Sequence, residues 1–145
     1  MFVVDFGSSA ILQISLSLSS TIATYTFNTA LHGSPYSLNS YNNVMYVGTL
    51  KSVVLTLSTT GVMNRLVTGC NGATNGISYI AFDSVGNMLQ SCFNTGYAYV
   101  YSPSGSSYSY SGISIYLTGK PYYADWDTRG SLAVMYDTAV INFYN

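Results

Sequence analysis

The sequence predicts an all-β chain, on three observations. The first is charge. Only 6% of the 145 residues are charged: four cations, and five carboxylates that are all Asp, beside a single His. A typical domain carries about 25%, and a surface helix needs long, unbranched, charged side chains on its wet face. The second is composition. Aromatics reach 15%, with 15 Tyr, in a background of Ser, Thr, Val and Ile that suits a half-buried pleated surface. The third is a recurring turn. "SLNSYNNVMYV", "IAFDSVGNMLQS" and "ADWDTRGSLAVM" set Asn39, Asp83 and Asp127 at spacings of 44 residues. Each is followed by Ser or Thr, then by a stretch holding Asn42, Gly86 or Gly130, then by an apolar run. An Asx side chain caps a turn backbone, and Gly or Asn accepts positive φ. Each stretch therefore reads as a short hairpin connection.

Charge also excludes partners. A net charge of −1 from scattered cations cannot build the basic stripe that nucleic acid requires. No apolar run approaches the ~20 residues of a membrane-spanning helix. "MFVVDF" is cut by Asp5 and lacks a positive leader, so it does not read as a signal peptide.

A second mark keeps the same rhythm. Ser58 and Ser102 are 44 apart, as are Gly61 and Gly105, and each pair closes an apolar strand with a Ser-x-x-Gly turn. A period of about 43 residues is one supersecondary unit, and four short strands per unit describe a propeller blade. In chain order, the first piece supplies the second to fourth strands of a blade: Phe2–Asp5, Ala10–Ser15 and Ile22–Phe27. Tyr36–Asn39, Val44–Gly48, Val53–Leu57 and Asn64–Val67 make a full blade. Ile77–Phe82, Met88–Cys92, Tyr97–Tyr101 and Gly112–Leu117 make another. Tyr122–Asp127, Leu132–Tyr136 and Val140–Tyr144 open a last one. The prediction is a β-propeller arc of about three and a half four-stranded antiparallel blades. It forms one partial domain over 1–145, with repeats near 1–33, 34–75, 76–119 and 120–145.

The stretch "GISYIAFDSVGNM" from Gly76 to Met88 resembles the NHL-type propeller repeat. "VYSPSG" at Val100 to Gly105 is similar to the turn closing its third strand. "GSPY" at Gly33 and "GKPY" at Gly119 resemble its blade-opening proline. Pro35 and Pro121 stand 86 apart where two full periods would give 88, and the Cys70–Gly76 linker has no proline. The resemblance implies a closed ring of about six blades, so a partner chain or further blades are expected to complete it. Met1 aligns near Met45, within a repeat, which suggests an excerpt. Uncovered blade edges lead us to expect that the isolated chain is not a well-behaved monomer. The resemblance also implies that ligands bind the face formed by the B–C and D–A connections, lettering strands outward from the axis.

Candidate ligand-binding residues on that face are His32, Tyr36, Lys120, Tyr122 and Asp137. No catalytic residue, metal ligand or cofactor is expected. His32 is the lone histidine, with no Cys, Glu or second His at metal-ligand spacing. Asp83 and Asp127 read as turn caps, because Asn39 stands in the same place and cannot act as a base. Asp5 and Asp137 end two B strands, with Thr49 and Phe93 between them in the series. A calcium-dependent lactonase-type propeller would also need a Glu, and the chain has none. Trp126, in series with Leu38 and Phe82, reads as core packing. The alternating Ser106–Tyr116 reads as an outer strand with one wet face.

The blade layout brings Cys70, after a D strand, and Cys92, at the end of the next B strand, to one face. A disulfide is expected there, with two free thiols as the alternative. A bond implies an oxidising compartment, hence secretion and an extracellular setting. The expected function is a noncatalytic binding or scaffold module recognising a protein or glycan. The alternative is a truncated propeller enzyme, lactonase-like or amidating-lyase-like.

Overall fold

The computed structural model describes residues 1–72, 76–117, 119–126 and 131–136, and the backbone of 141–144. The expected Asp127–Gly130 turn and the candidate Asp137 lie outside the described residues.

Four antiparallel sheets follow one another along the chain. The first holds β1 (Phe2–Asp5), β2 (Ala10–Ser15) and β3 (Ser20–Thr26). The second holds β4 (Pro35–Tyr41), β5 (Val44–Thr49), β6 (Val53–Leu57) and β7 (Met63–Thr68). The third holds β8 (Ile77–Phe82), β9 (Met88–Cys92), β10 (Tyr97–Ser104) and β11 (Ser107–Tyr116). The fourth holds β12 (Pro121–Trp126), β13 (Leu132–Tyr136) and β14 (Ile141–Tyr144). Each sheet is a meander of sequential neighbours, as the hairpin turns require. The helical content of the described residues is one turn, α1 (Thr29–His32), capped by Asn28, and a 3₁₀ turn at Cys70–Gly72.

The sheets pack face to face. β1 meets β4, β4 meets β8 and β8 meets β12, while farther out β11 touches β7. Every layer between neighbouring sheets is its own apolar core. Ile11, Val47, Leu55 and Leu57 fill the first, with Phe2 and Leu38 against them. Val54, Ile77, Ile80, Met88 and Tyr101 fill the second. Leu89, Leu117, Leu132 and Val134 fill the third. Alternation along each strand sends residues into both layers, which is why β5, β6 and β9 are buried almost throughout. Each fully buried aliphatic side chain contributes about 1.5–3 kcal/mol.

Two turns differ from expectation. Asn39 is not a turn cap. It lies within β4 opposite Tyr46, and its Nδ2 donates to Ile80 O of the next sheet at 2.7 Å. The hairpin instead closes between Tyr41 and Val44, over Asn42 and Asn43 at φ 48° and 62°. This two-residue turn with both φ positive is the hairpin connection that Asn tolerates. The residue equivalent to Asp83 is therefore Tyr41, and Trp126 matches Ser40 rather than Leu38. The shortened turn accounts for one of the two residues missing between Pro35 and Pro121, and the B–C loop between Thr49 and Val53, one residue shorter than that between Cys92 and Tyr97, accounts for the other. Ser102 likewise does not end its strand. β10 runs on to Ser104, which pairs with Ser107 across Gly105 and Ser106. Pro103 is tolerated because β9 has already ended at Met88, opposite Tyr101, so no ladder donor is needed on that side.

Candidate functional site

The connections fall on two faces. The A–B and C–D turns lie on one, and the B–C loops and D–A linkers on the other. Among the described residues, backbone bonds stitch the B–C loops to the linkers: Phe27 N–H to Ser9 O at 3.0 Å, Leu50 N–H to Ser34 O at 3.0 Å, and, at one loop, Phe93 N–H to Gly76 O at 3.2 Å and Leu117 N–H to Gly96 O at 2.7 Å. The linkers enter the inner strands, so the stitching draws the side chains at the start of β4 and β12 toward those at the end of β9.

An aromatic set results. Tyr36, at the start of β4, meets Phe93 edge-on at 6.4 Å between centroids, and Phe6 at 5.7 Å. Tyr122, at the start of β12, meets Phe93 at 5.0 Å. The Lys120 ammonium lies over the Phe93 ring, 5.3 Å from its centroid. Phe6 and Tyr122 are well exposed, at 51% and 41%, so the set is an open surface. Desolvation holds the Tyr36 phenol above its ordinary pKa, and the nearby Tyr122 adds to this.

Three of the expected residues, Tyr36, Lys120 and Tyr122, are thus brought together. His32 closes α1; its Nδ1 is buried with no partner, and no hydrogen bond among the described residues joins it to the ring set. Asp5 is not the counterpart of Phe93. It ends β1 opposite Ala10, as Cys92 ends β9 opposite Tyr97, so Phe6 is the residue equivalent to Phe93. Both Phe6 and Phe93 fall one residue past the end of a B strand, whereas the 44-residue spacing puts Asp5 in line with Phe93 and leaves Phe6 without a role. The Asp5 carboxylate caps its own loop, accepting from the Ser8 hydroxyl at 2.6 Å and Ser8 N–H at 3.2 Å. Those bonds lower its pKa below 3.8.

Beneath Phe93 lies the disulfide. Cys70 and Cys92 are bonded with Cα atoms 5.7 Å apart, and both are fully buried. The bond ties the linker into β8 to the end of β9, and so fixes the backbone that carries Phe93. Gln90 Oε1 accepts from Cys70 N–H at 3.1 Å and holds the linker from below.

Beside the ring set runs an open groove of about 340 Å³, lined by Asn94, Thr95, Gly96, Gly119 and Lys120, with Phe93 and Tyr116 also in its wall. Its walls are mainly polar: amide, hydroxyl and glycine backbone. Among the described residues, no group of three His, Cys, Asp or Glu stands close enough to hold a metal.

The opposite face is built from self-engaged caps. Asp83 accepts from Val85 N–H at 3.0 Å, Asn87 N–H at 2.8 Å and Asn87 Nδ2 at 2.7 Å. Ser58 Oγ accepts from Val62 N–H at 2.9 Å. Its aromatic set, Tyr41, Phe82, Tyr46 and Tyr108, is packed ring on ring.

No family model matches the chain, and no curated protein matches it. Solved structures do. Virginiamycin B lyase from Staphylococcus aureus superposes with a TM-score of 0.71 at 10% identity, over 99% of this chain and 51% of its own. A chain of the mitotic checkpoint complex gives 0.73 at 12% identity, over 99% and 45%. The fold is that of a partial β-propeller. A streptogramin B lyase gives 0.67 at 12% identity, over 99% and 53%. The propeller arc thus spans about half the length of these structures, and at such identities the likeness shows the fold alone. No helix among the described residues is long and apolar enough to cross a membrane.

Proposed function

We propose that the chain belongs to a noncatalytic binding module, an NHL-type propeller completed by further blades or a partner chain, that holds a neutral polar partner, protein or glycan, on its loop face. The observation that carries this reading is the open ring set around Phe93. Aromatic rings offer broad apolar contact at little entropic cost, and phenols add hydrogen bonds at their edges. The adjoining groove adds an amide, a hydroxyl and glycine backbone groups, polar contacts that orient a ligand held by the rings. Lys120 supplies one charge, which orients but does not steer. The buried disulfide supports an oxidising, extracellular setting. The enzymatic alternative has the lyase neighbours behind it, at the level of fold only.

The test is binding to glycan and peptide arrays by the protein that carries these residues. Tyr36→Ala and Tyr122→Ala are each expected to weaken binding roughly tenfold, while Asp83→Asn and Ser104→Ala on the opposite face leave it unchanged. Loss through Asp83→Asn or Ser104→Ala alone would reject the assignment of faces. A steep fall in affinity with salt would reject a neutral partner.

A further inference from the structure

The groove does more than adjoin the ring set: it joins that set to a second one. Tyr116 lines the same groove as Phe93, is 64% exposed and touches Tyr97 edge-on at 5.1 Å. From Tyr97 the rings continue along the flank of the third sheet. Tyr99 lies nearly parallel to Tyr97 at 5.8 Å, and Tyr110 meets Tyr99 at 5.9 Å. Tyr97 and Tyr116 are cross-strand partners, and Tyr97 and Tyr99 share a face by strand alternation, so the row follows from the fold. An aromatic track therefore runs from the inner end of the loop face, through a polar groove, over the rim of the third blade and down its side. A compact ligand needs only one end of such a path.

We infer that the track binds a linear, neutral polysaccharide in an extended conformation. This rests on the loop-face reading above and narrows it to one class of ligand. Residues 97–117 contain no charged or histidine side chain, so the flank offers nothing to an ionic polymer. Rings interspersed with hydroxyls match a chain of sugars, whose pyranose rings alternate apolar C–H faces with equatorial hydroxyls. The rings of the row stand on the face of the sheet, not along its open outer edge at β11, so a ligand held by them is gripped through ring faces and hydroxyls and not by the backbone ladder that strand addition uses.

The probe is a panel of soluble neutral polysaccharides (hydroxyethyl cellulose, arabinoxylan and galactomannan) with their disaccharide and octasaccharide fragments, titrated calorimetrically. The octasaccharide is expected to bind at least tenfold more tightly than the disaccharide. Tyr116→Ala and Tyr97→Ala should erase that gain and leave disaccharide affinity unchanged, whereas Tyr36→Ala should weaken both. Tyr116→Phe should keep the gain and serves as the folded control. Affinity independent of chain length, or insensitive to Tyr116 and Tyr97, would overturn the track while a Tyr36 effect upheld the loop face. An effect of Tyr116 and Tyr97 with none of Tyr36 would overturn both. Binding only of a neutral peptide, or of none of the glycans, would overturn the choice of polysaccharide.

Discussion

The two faces of the arc carry similar residues and use them differently. On the turn face, Tyr41 and Phe82 stack at 4.9 Å, Tyr46 and Tyr108 close over them, and Asp83 spends its carboxylate on its own backbone. On the loop face, the rings of Phe6, Tyr36, Phe93 and Tyr122 meet in T-shaped contacts, and Phe6 and Tyr122 remain well exposed. The difference teaches that aromatic content alone does not mark a site. What marks it is an aromatic set the fold assembles but does not cover.

Breaking that comparison begins with its foundation. Cys70→Ser with Cys92→Ser should cost about 2–5 kcal/mol in urea unfolding, as removal of a native disulfide does. Hydrogen exchange should show protection lost first around Phe93 and Gly76, with the Asp83 turn retained. Uniform loss across both faces would show that the bond does not specifically support the loop face.

Next in size is the turn face itself. Asp83→Ala removes the acceptor for two backbone donors and the Asn87 amide. It should cost about 1–2 kcal/mol without changing ligand affinity. A change in affinity would mean that the two faces are coupled.

Alkaline titration sharpens the contrast further. Burial, followed by the nearby Tyr46, raises the Tyr108 phenol strongly, and burial raises Tyr101. A folded state with raised phenol pKa values keeps its protons longer than the unfolded chain. The stability they contribute is whole below the unfolded value of about 10 and is lost as pH rises through the folded values. Cooperative unfolding above pH ~10, delayed ionisation of Tyr108 by ultraviolet absorbance, and an earlier transition in Tyr46→Phe are the expected outcomes. Ordinary phenol titration with no loss of structure would contradict the packed turn face.

The smallest expected effect is that of Lys120→Ala on stability. A cation–π contact at an exposed site is worth about 0.5–1 kcal/mol, and its removal should shift the urea midpoint barely while measurably weakening binding. A large loss of stability would mean that Lys120 is structural and not part of an open site.

Most of the arc was legible in the sequence. β1, β2, β6, β8, β9 and β13 match the predicted spans because alternation and flanking turn residues fixed both ends. The failures were local. The Asn42–Asn43 hairpin is two residues long, so Asn39 fell into line with Asp83 by number and not by register. The C–D turn after Ser102 gave way because β10 and β11 keep pairing past the Ser-x-x-Gly signal. In the site, Tyr36, Lys120 and Tyr122 could be placed from blade geometry, since they enter the inner strands. Phe6 and Phe93 could not, because a spacing of 44 sets Asp5 in line with Phe93, and only the register of β1 with β2 and of β9 with β10 shows Phe6 to be its counterpart. The groove and the tyrosine row depend on cross-strand pairing of β10 with β11, which spacing alone does not provide.

The most direct measurement is chemical-shift mapping of the isotopically labelled protein titrated with a bound member of the glycan panel. The account predicts shifts at Tyr36, Phe93, Tyr122 and the 94–97 loop, growing to include Tyr116 as the glycan lengthens, with Asp83, Gly86 and Ser58 silent. Perturbations centred on Asp83 and Ser58, with the Phe93 resonances unmoved, would contradict it.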